Sequence, residues 1–174
     1  QMAILKVRGA LPLEKDELVI LDRDGTLNTD LGYTFQVSQL KLIEGVINTL
    51  TDERFNKSIF AIASNQAGIS KGKFSVEQSI FFTEALCDLL SSYGIQIAAF
   101  AFCPHGDFLE NTRAVCDYRK PNPGMLNLLM NLFGKQREST IFVGNSKLDH
   151  SAAINAGVKF VHVGQTFPTV GEFS

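Results

Sequence analysis

The sequence lacks the features that mark several specialised classes of protein. Three cysteines among 174 residues are too few, and odd in number, for a complete disulfide framework. No apolar run approaches the roughly 18 residues of a membrane-spanning helix, and the first residues lack the basic-then-apolar order of a signal peptide. A net charge of −2 gives no electrostatic reason to expect nucleic acid or an anionic membrane as a partner. We therefore expect a cytoplasmic protein that forms one domain over residues 1–174.

The apolar residues that are present form short strand-like runs separated by helical patterns. The predicted strands occupy 18–21, 58–63, 97–102, 139–144 and 159–163. The predicted helices occupy 44–55, 75–93 and 123–133, with a last, alanine-rich one that ends at Gly157. This alternation favours an α/β fold, a doubly wound, Rossmann-like parallel sheet with helices on both faces. Residues 1–16 are then a lead-in with a candidate edge strand at 3–7, and residues 166–174 are a tail.

Two carboxylates stand at the end of the first predicted strand. Asp22 and Asp24 are separated by one residue, so an extended backbone would point both the same way, and Gly25 then permits a sharp turn. Ligands bind at this edge of open α/β sheets. Like charges so close repel unless a cation or proton intervenes, which suggests a divalent metal or an acid/base couple, and a carboxylate can also be a nucleophile. On local grounds, an Asp-Gly turn with two solvated acids is the alternative.

An apolar strand followed by Asp-Arg-Asp-Gly-Thr-Leu-Asn at 22–28 resembles the first motif of the haloacid dehalogenase-like hydrolases. The most similar branch is that of the heptose-bisphosphate and histidinol-phosphate phosphatases. The resemblance implies that Asp22 is the nucleophile and Asp24 the general acid/base. We also expect Arg23, which lies between them, to contact the substrate.

Two later segments resemble the second and third motifs of that family. Ser64 and Asn65 end the second strand; the resemblance makes Ser64 a donor to phosphoryl oxygens, with Asn65 beside it in substrate binding, whereas a polar turn is the local alternative. Arg119 and Lys120 precede a proline-started helix, where cations oppose the helix dipole, and a bound phosphate would account for them. The resemblance implies that Lys120 neutralises nucleophile and phosphate and that Arg119 holds substrate oxygens.

The fourth motif departs from the family pattern. Two acids are usual after the fourth strand, the first of them a direct magnesium ligand, but this chain has Asn145 there and keeps only the second acid, Asp149. The resemblance implies magnesium between Asp22, the backbone carbonyl of Asp24 and Asn145, with Asp149 in support. Because hard cations depend on ligand charge, the asparagine weakens this predicted site.

A further departure concerns a cysteine and histidine loop. Cys103, His105 and Cys116 match three ligands of a zinc loop that the heptose-bisphosphate phosphatase branch carries, but Tyr118 stands where the fourth ligand is expected. Structural zinc sites nearly always have four protein ligands. We therefore expect a loop that keeps the family's path without its metal. A zinc ion completed by water or Asp117 is the alternative.

The motifs together predict a magnesium-dependent phosphatase that acts on a phosphate monoester of a small metabolite through an aspartyl-phosphate. The family-based substrate is a sugar bisphosphate, specifically a heptose bisphosphate of carbohydrate metabolism, with histidinol phosphate as the alternative. Lys71 and Lys73 are expected at the rim of the pocket, in a stretch like the family's Gly-Lys-Phe loop. The short gaps between motifs leave no separate cap domain. A different class of function, a phosphosugar-binding or interaction domain that has lost turnover, is also kept because of Asn145.

Overall fold

A six-stranded sheet forms the centre of the molecule in the computed structural model, which describes residues 2–106 and 116–174. Its strands are β1 (Ile4–Val7), β2 (Glu17–Leu21), β3 (Ser58–Asn65), β4 (Ile97–Cys103), β5 (Thr140–Gly144) and β6 (Lys159–His162). Their spatial order is β1-β4-β3-β2-β5-β6. Strands β2 to β6 are parallel, whereas β1 pairs antiparallel with β4 at one edge. The predicted doubly wound sheet is confirmed, and the lead-in supplies its antiparallel edge strand, a common addition to parallel sheets.

The central strands are buried on both faces, which explains their continuous apolar sequence. Residues 18–21 of β2 are completely buried, and successive side chains point to opposite faces. Leu18 and Ile20 contact one hydrophobic cluster, while Val19 and Leu21 contact the other. The first cluster includes residues of the helices α3 (Gly124–Phe133) and α4 (Lys147–Ala156). The second includes residues of α1 (Val46–Leu50) and α2 (Val76–Ser92), so helices cover both faces of the sheet.

Local signals place the helix ends. Ser75 and Gln78 form a capping box at the start of α2, in which each side chain accepts a hydrogen bond from the other residue's backbone N–H. This satisfies two donors that the first turn of a helix leaves unpaired. Between β2 and β3 the chain forms only α1 and two short 3₁₀ turns, so no cap domain is inserted there.

Two features of the predicted chain organisation differ from the structure, namely the extent of the first helix and the role of the tail. The helix predicted over 44–55 ends at Leu50, because Asp52 accepts a hydrogen bond from Arg54 N and starts a separate 3₁₀ turn. The predicted tail is packed into the core, since Phe173 is buried and makes an edge-to-face contact with Phe55 at 5.0 Å between ring centroids. Burying such an aromatic side chain stabilises the carboxyl-terminal segment by about 2 kcal/mol.

None of the helices found in residues 2–106 and 116–174 combines the length and the apolar character needed to cross a bilayer.

Candidate active site

The candidate site lies at the carboxyl ends of the central strands. Strand β2 sits between β3 and β5, and chain order reverses direction on its two sides, which creates the crevice where ligands bind in open α/β sheets. Asp22 directly follows β2, Asn65 ends β3 and Asn145 directly follows β5. Lys120 enters the same crevice from the segment before α3. The topology therefore brings the four predicted motifs together.

Lys120 bridges two carboxylates at the centre of this crevice. Its Nζ lies 2.7 Å from Asp22 Oδ1 and 2.7 Å from Asp149 Oδ1. The same ammonium donates to the carbonyl oxygen of Ala63 at 3.0 Å. An ammonium has three hydrogens, so these three acceptors use all of them. Lys120 is consequently held in one orientation beside the predicted nucleophile.

Burial and charge act in opposite directions on these three groups. Burial raises the pKa of Asp22 to about 7 against the lowering effect of Lys120, and the charges of Asp149 and Asp24 add to the rise. Burial alone would lower the pKa of Lys120, but the two carboxylates outweigh it and raise that pKa. Burial opposes ionisation of Asp149 as well, yet Lys120 and the Ser146 hydrogen bonds bring its pKa below the usual range. One cation therefore does not fully offset the negative charge of the site.

Asp24 is held by four N–H donors. Arg23 donates from Nε to Oδ1 at 2.9 Å and from Nη2 to Oδ2 at 3.0 Å. Asn28 Nδ2 donates to Oδ1 at 3.0 Å, and Gln66 Nε2 donates to Oδ2 at 3.1 Å. Hydrogen bonds to a charged carboxylate are the stronger kind. The orientation of Asp24 is thus determined by three side chains, of which the first motif alone identifies two.

The side chain of Arg23 is buried and hydrogen-bonded within the protein. Its side chain is 1% exposed, and besides Asp24 it donates to Thr83 Oγ1 and to the carbonyl oxygen of Thr34. Its guanidinium also lies over the Phe82 ring, 4.6 Å from the centroid. With its donors committed to protein acceptors, Arg23 positions Asp24, and the expected contact with substrate is not supported by this geometry.

Asn65 also differs from its expected role. Its Nδ2 donates to the carbonyl oxygen of Lys120 at 3.1 Å, and its Oδ1 accepts from Lys120 N at 3.0 Å. This paired amide contact joins the end of β3 to the third motif. Asn65 therefore orients the backbone that carries Lys120. Ser64 is 4% exposed, and its hydroxyl is linked to Asp24 by Gln66, whose Nε2 donates to both side chains.

Asn145 lies against the first motif on the side that Lys120 does not occupy. The hydroxyl of Thr26 donates to Asp22 Oδ2 at 3.2 Å and is 3.5 Å from Asn145 Oδ1. A side-chain carbon on Gly25 would collide with the Asn145 amide, so glycine is needed there for the two motifs to approach. The Thr26 hydroxyl is thus within 3.5 Å of a carboxylate oxygen and of an amide oxygen, and both are ligand types that magnesium accepts.

Asp149 does not share that position. Its Oδ1 is paired with Lys120, and its Oδ2 accepts hydrogen bonds from Asn145 N, Ser146 N and the Ser146 hydroxyl. With both oxygens used, Asp149 is not placed as a direct metal ligand, and the supporting role expected from the sequence takes the form of contacts to Lys120 and Ser146. It caps the first turn of α4 and fixes the ammonium of Lys120.

The predicted cysteine and histidine loop closes into a compact cluster. The ligand atoms of Cys103, His105 and Cys116 lie within 4.8 Å of one another. Residues 107–115 of that loop lie outside the described residues. Arg119 is largely buried and donates from Nη1 to the carbonyl oxygen of His105 at 3.1 Å. The cluster therefore contacts a residue of the third motif, and three soft ligand atoms fit zinc chemically.

Three residues of the site were missed by the sequence analysis: Thr26, Asn28 and Gln66. All are buried, and each forms a hydrogen bond to Asp22 or Asp24. Thr26 and Asn28 belong to the first motif string, and Gln66 follows Ser64 and Asn65 directly. Buried polar side chains need hydrogen-bond partners. Polar residues in motifs that follow buried strands could therefore have been predicted to bond the two aspartates.

Fold and site together define a phosphatase of the haloacid dehalogenase-like hydrolases, with paired carboxylates after β2 and a buried lysine bridging to a further acid. Residues 17–167 match the family described as polynucleotide kinase 3 phosphatase. The chain belongs to this family, and the predicted hydrolase family and phosphoric monoester hydrolase class are confirmed.

Relatives and solved structures agree with this assignment. The chain is 34% identical over 163 residues to the D-glycero-beta-D-manno-heptose-1,7-bisphosphate 7-phosphatase of Haemophilus influenzae, covering 90% of this chain and 86% of that protein. The protein of the same name from Escherichia coli K12 is 33% identical over 142 residues, with 80% and 74% covered. The crystal structure of D,D-heptose 1,7-bisphosphate phosphatase from B. bronchiseptica, complexed with magnesium and phosphate, is 27% identical with a TM-score of 0.75, covering 87% of this chain and 82% of that one.

Proposed function

We propose that this protein is a magnesium-dependent phosphatase that hydrolyses one phosphate monoester of a sugar bisphosphate through an aspartyl-phosphate on Asp22. The observation that carries the proposal is the position of Lys120, whose ammonium binds Asp22 at 2.7 Å. A carboxylate can attack a phosphate dianion only when positive charge reduces their repulsion. Lys120 supplies part of that charge where attack would occur.

The proposed reaction has two steps. A carboxylate oxygen of Asp22 attacks phosphorus, and the bond from phosphorus to the ester oxygen breaks. Asp24, protonated in the substrate complex, gives its proton to that leaving oxygen. Asp24, now ionised, takes a proton from water, whose oxygen attacks the phosphorus of the aspartyl-phosphate. Inorganic phosphate leaves, and both carboxyl groups return to their starting state. The proton donated in the first step is thus recovered in the second.

Asp22 and Asn145 fit a magnesium site in the type of their oxygen atoms, and the backbone carbonyl of Asp24 is the third protein ligand we propose. Magnesium bound there would supply the positive charge that a dianionic substrate and an aspartate nucleophile require. Burial raises the pKa of Asp22 to about 7, so a cation bound beside it would favour the ionised carboxylate that attacks phosphorus.

A pair of lysines beside the pocket supports a bisphosphate as substrate. The Nζ atoms of Lys71 and Lys73 each lie 5.8 Å from the centroid of the Tyr33 ring, and Lys71 also donates to the Tyr33 hydroxyl at 3.3 Å. Both lysines are exposed, and neither forms an ion pair within residues 2–106 and 116–174. Two exposed ammonium groups around one tyrosine ring would attract a second anionic group of the substrate.

The contacts of Tyr33 connect Lys71 and Lys73 to the segment that carries the proposed phosphate site. Gly68 packs directly against the Tyr33 ring, and Gln66, two residues earlier, contacts Asp24. A second phosphate on the substrate would therefore find positive charge at the rim. Histidinol phosphate carries an ammonium at its far end, which the same lysines would repel. The names of the relatives above agree with a heptose bisphosphate as the substrate.

The test is phosphate release from metal-free protein with added magnesium, using heptose bisphosphate, other sugar bisphosphates, sugar monophosphates and histidinol phosphate. We expect release only with magnesium, and kcat/KM highest for a bisphosphate. Changing both lysines to glutamine should lower kcat/KM for the bisphosphate by about tenfold or more and leave the monophosphate nearly unchanged. Lys57→Gln, at an exposed lysine away from the pocket, is the matched control. Highest activity on histidinol phosphate would contradict the substrate assignment.

A phosphosugar-binding domain without turnover is the second candidate, and the observation that favours it is Asn145. An amide in place of a carboxylate removes one negative charge beside the proposed metal, which lowers the affinity for a hard cation. Tight binding of a sugar bisphosphate without phosphate release would support this candidate.

A further inference from the structure

Gln66 connects two groups of the site that do not contact each other. Its Nε2 donates to Ser64 Oγ at 2.7 Å and to Asp24 Oδ2 at 3.1 Å. Ser64 lies at the end of β3, whereas Asp24 follows β2. Both Gln66 and Ser64 are 4% exposed, so water does not readily replace these hydrogen bonds. The backbone of Gln66 is held as well, through donation from its N–H to the carbonyl oxygen of Cys103 at 2.8 Å.

The direction of the hydrogen bond to Ser64 determines where the serine hydrogen points. A hydroxyl has one hydrogen and two lone pairs, and the amide N–H of Gln66 occupies one lone pair. The hydrogen of Ser64 must therefore point elsewhere. In the described residues its acceptor is the carbonyl oxygen of Asn65 at 3.5 Å, a distance at which a hydrogen bond is weak. That hydrogen is available to an incoming phosphoryl oxygen.

The second hydrogen of the same amide acts on Asp24. It adds a donor at Oδ2, where Arg23 Nη2 also donates. Arg23 and Asn28 both belong to the first motif, whereas Gln66 directly follows β3. Of these donors, Gln66 is therefore the one that links the carboxylate of Asp24 to the end of β3. Moving this amide would change the position of Asp24 relative to Ser64.

We propose that Gln66 is a positioning residue that aligns the phosphate-binding hydroxyl of Ser64 and the acid/base carboxylate of Asp24 through one amide nitrogen. Glutamine suits this position because, among uncharged side chains of this length, only its amide donates two N–H hydrogens from a single atom. A glutamate there would accept the Ser64 hydrogen, turn it away from phosphate and repel Asp24. This inference rests on the proposed phosphatase function, since it assigns the two groups their roles in that reaction.

The test compares two substitutions of similar size, Gln66→Leu, which removes both donors, and Gln66→Glu, which replaces them with acceptors. The variants are assayed on a sugar phosphate and on p-nitrophenyl phosphate. An aryl leaving group departs with little protonation, so only the loss of the Ser64 contact should affect it, whereas the sugar phosphate also needs the proton from Asp24. We expect Gln66→Glu to lower kcat/KM by about 100-fold or more for the sugar phosphate and by about tenfold for the aryl phosphate. Gln66→Leu should fall between the wild type and Gln66→Glu.

The chain offers a matched control in Gln96, whose Nε2 donates to Ser91 Oγ at 3.0 Å on the surface. Gln96→Glu makes the same chemical change in the same type of pair, before β4 and away from the carboxyl ends of the strands, and should leave both substrates unaffected. Urea unfolding checks that each variant is folded. Wild-type values for both Gln66 variants would overturn the proposal. An equal fall on both substrates would also overturn it, because alignment of Asp24 would then play no part.

A binding measurement separates this inference from the proposed function. Calorimetric titration with inorganic phosphate in the presence of magnesium reports the Ser64 contact without turnover. We expect Gln66→Glu to weaken phosphate binding by about tenfold, and Gln96→Glu to leave it unchanged. If the wild type releases no phosphate from any substrate, the proposed function fails, and unchanged phosphate binding in Gln66→Glu would then overturn the positioning role as well.

Discussion

Lys120 and Asp149 form a buried ion pair, with Nζ 2.7 Å from Oδ1 and side chains 3% and 2% exposed. The pair lies between the third motif and α4, so it connects two segments that are far apart in the chain. Because Lys120 also binds Asp22, the position of Asp149 determines how the ammonium meets the predicted nucleophile. The acid that the family resemblance places in support of the metal site therefore pairs with Lys120.

Substituting Asp149→Asn should destabilise the protein. The change leaves the buried ammonium with one carboxylate in place of two, and breaking a buried pair costs about 3 kcal/mol of unfolding free energy. Urea unfolding of metal-free protein at pH 7 measures this. Asp117→Asn, at an exposed acid near the same segment, should change the unfolding free energy by less than about 0.5 kcal/mol. Equal values for the two variants would show that the pair adds nothing to stability.

Substituting Asp22→Asn should abolish phosphate release. An amide oxygen is a poor nucleophile, so we expect a loss of about 10³-fold or more, together with loss of any phosphoryl group trapped on the protein by acid quenching. Asp88→Asn, at a largely exposed carboxylate on α2, is the control for a general effect of charge. Turnover of Asp22→Asn at the parent rate would remove Asp22 from the nucleophile position.

Substituting Asn145→Asp should lower the magnesium concentration needed for activity. The added carboxylate restores charge beside Asp22, and we expect half-maximal activity at about a tenfold lower concentration of magnesium. Magnesium titration of metal-free protein, followed by phosphate release and by calorimetry, measures the change. A large gain in kcat would support the second candidate, in which the wild-type protein binds a phosphosugar without turnover. An unchanged magnesium requirement would mean that Asn145 is not a metal ligand of consequence.

Zinc binding to the cluster of Cys103, His105 and Cys116 can be tested with a gain of function. Substituting Tyr118→Cys offers a thiolate as the fourth ligand, and we expect zinc affinity to rise by about 100-fold or more because closed four-ligand sites hold the metal most tightly. Competition with a chromophoric chelator measures the affinity. Cys116→Ser, introduced into the Tyr118→Cys protein, should reverse this gain. Equal zinc affinity in the wild type and the Tyr118→Cys protein would show that position 118 does not face the metal.

The ion pair of Glu17 and Arg54 should make stability depend on pH. Burial would raise the pKa of Glu17, but hydrogen bonds from Arg54 and Ser58 and the charge of Arg54 outweigh it and lower that pKa. A lowered folded-state pKa means that the contribution is present above the unfolded-state value of about 4.3 and is lost as the pH falls through the folded-state value.

We therefore expect Glu17→Gln to cost about 1 to 2 kcal/mol of unfolding free energy at pH 7, with the difference from wild type shrinking below about pH 4. Urea unfolding across pH 3 to 8 measures it. Asp16→Asn, in an exposed pair with Lys57 at 3.8 Å, should have little effect at any of these values. A difference that stays constant with pH would mean that the charge of Glu17 is not what stabilises the fold.

The residues whose roles were missed differ from those that were found in one physical respect. A motif shows that a residue is near the site, but the direction of its side chain follows from backbone geometry and packing. Arg23 turns its guanidinium onto the carboxylate of Asp24 and onto acceptors of Thr34 and Thr83, and it is 1% exposed. The side chain of Asn65 bonds the backbone N–H and carbonyl groups of Lys120. Lys120 lies outside any helix or strand, so these buried backbone groups need partners from a side chain.

The sequence by itself determined the fold and the location of the site. Continuous apolar runs separated by helical patterns allow one kind of sheet, and parallel strands bring the residues that follow them to the same edge. Only the tertiary structure decided the division of tasks within that site. Whether Asp149 binds a metal or Lys120, and whether Gln66 aligns Ser64 with Asp24, depends on hydrogen-bond distances between residues on different elements. Those distances arise when the helices pack against the sheet, and no local pattern in the chain encodes them.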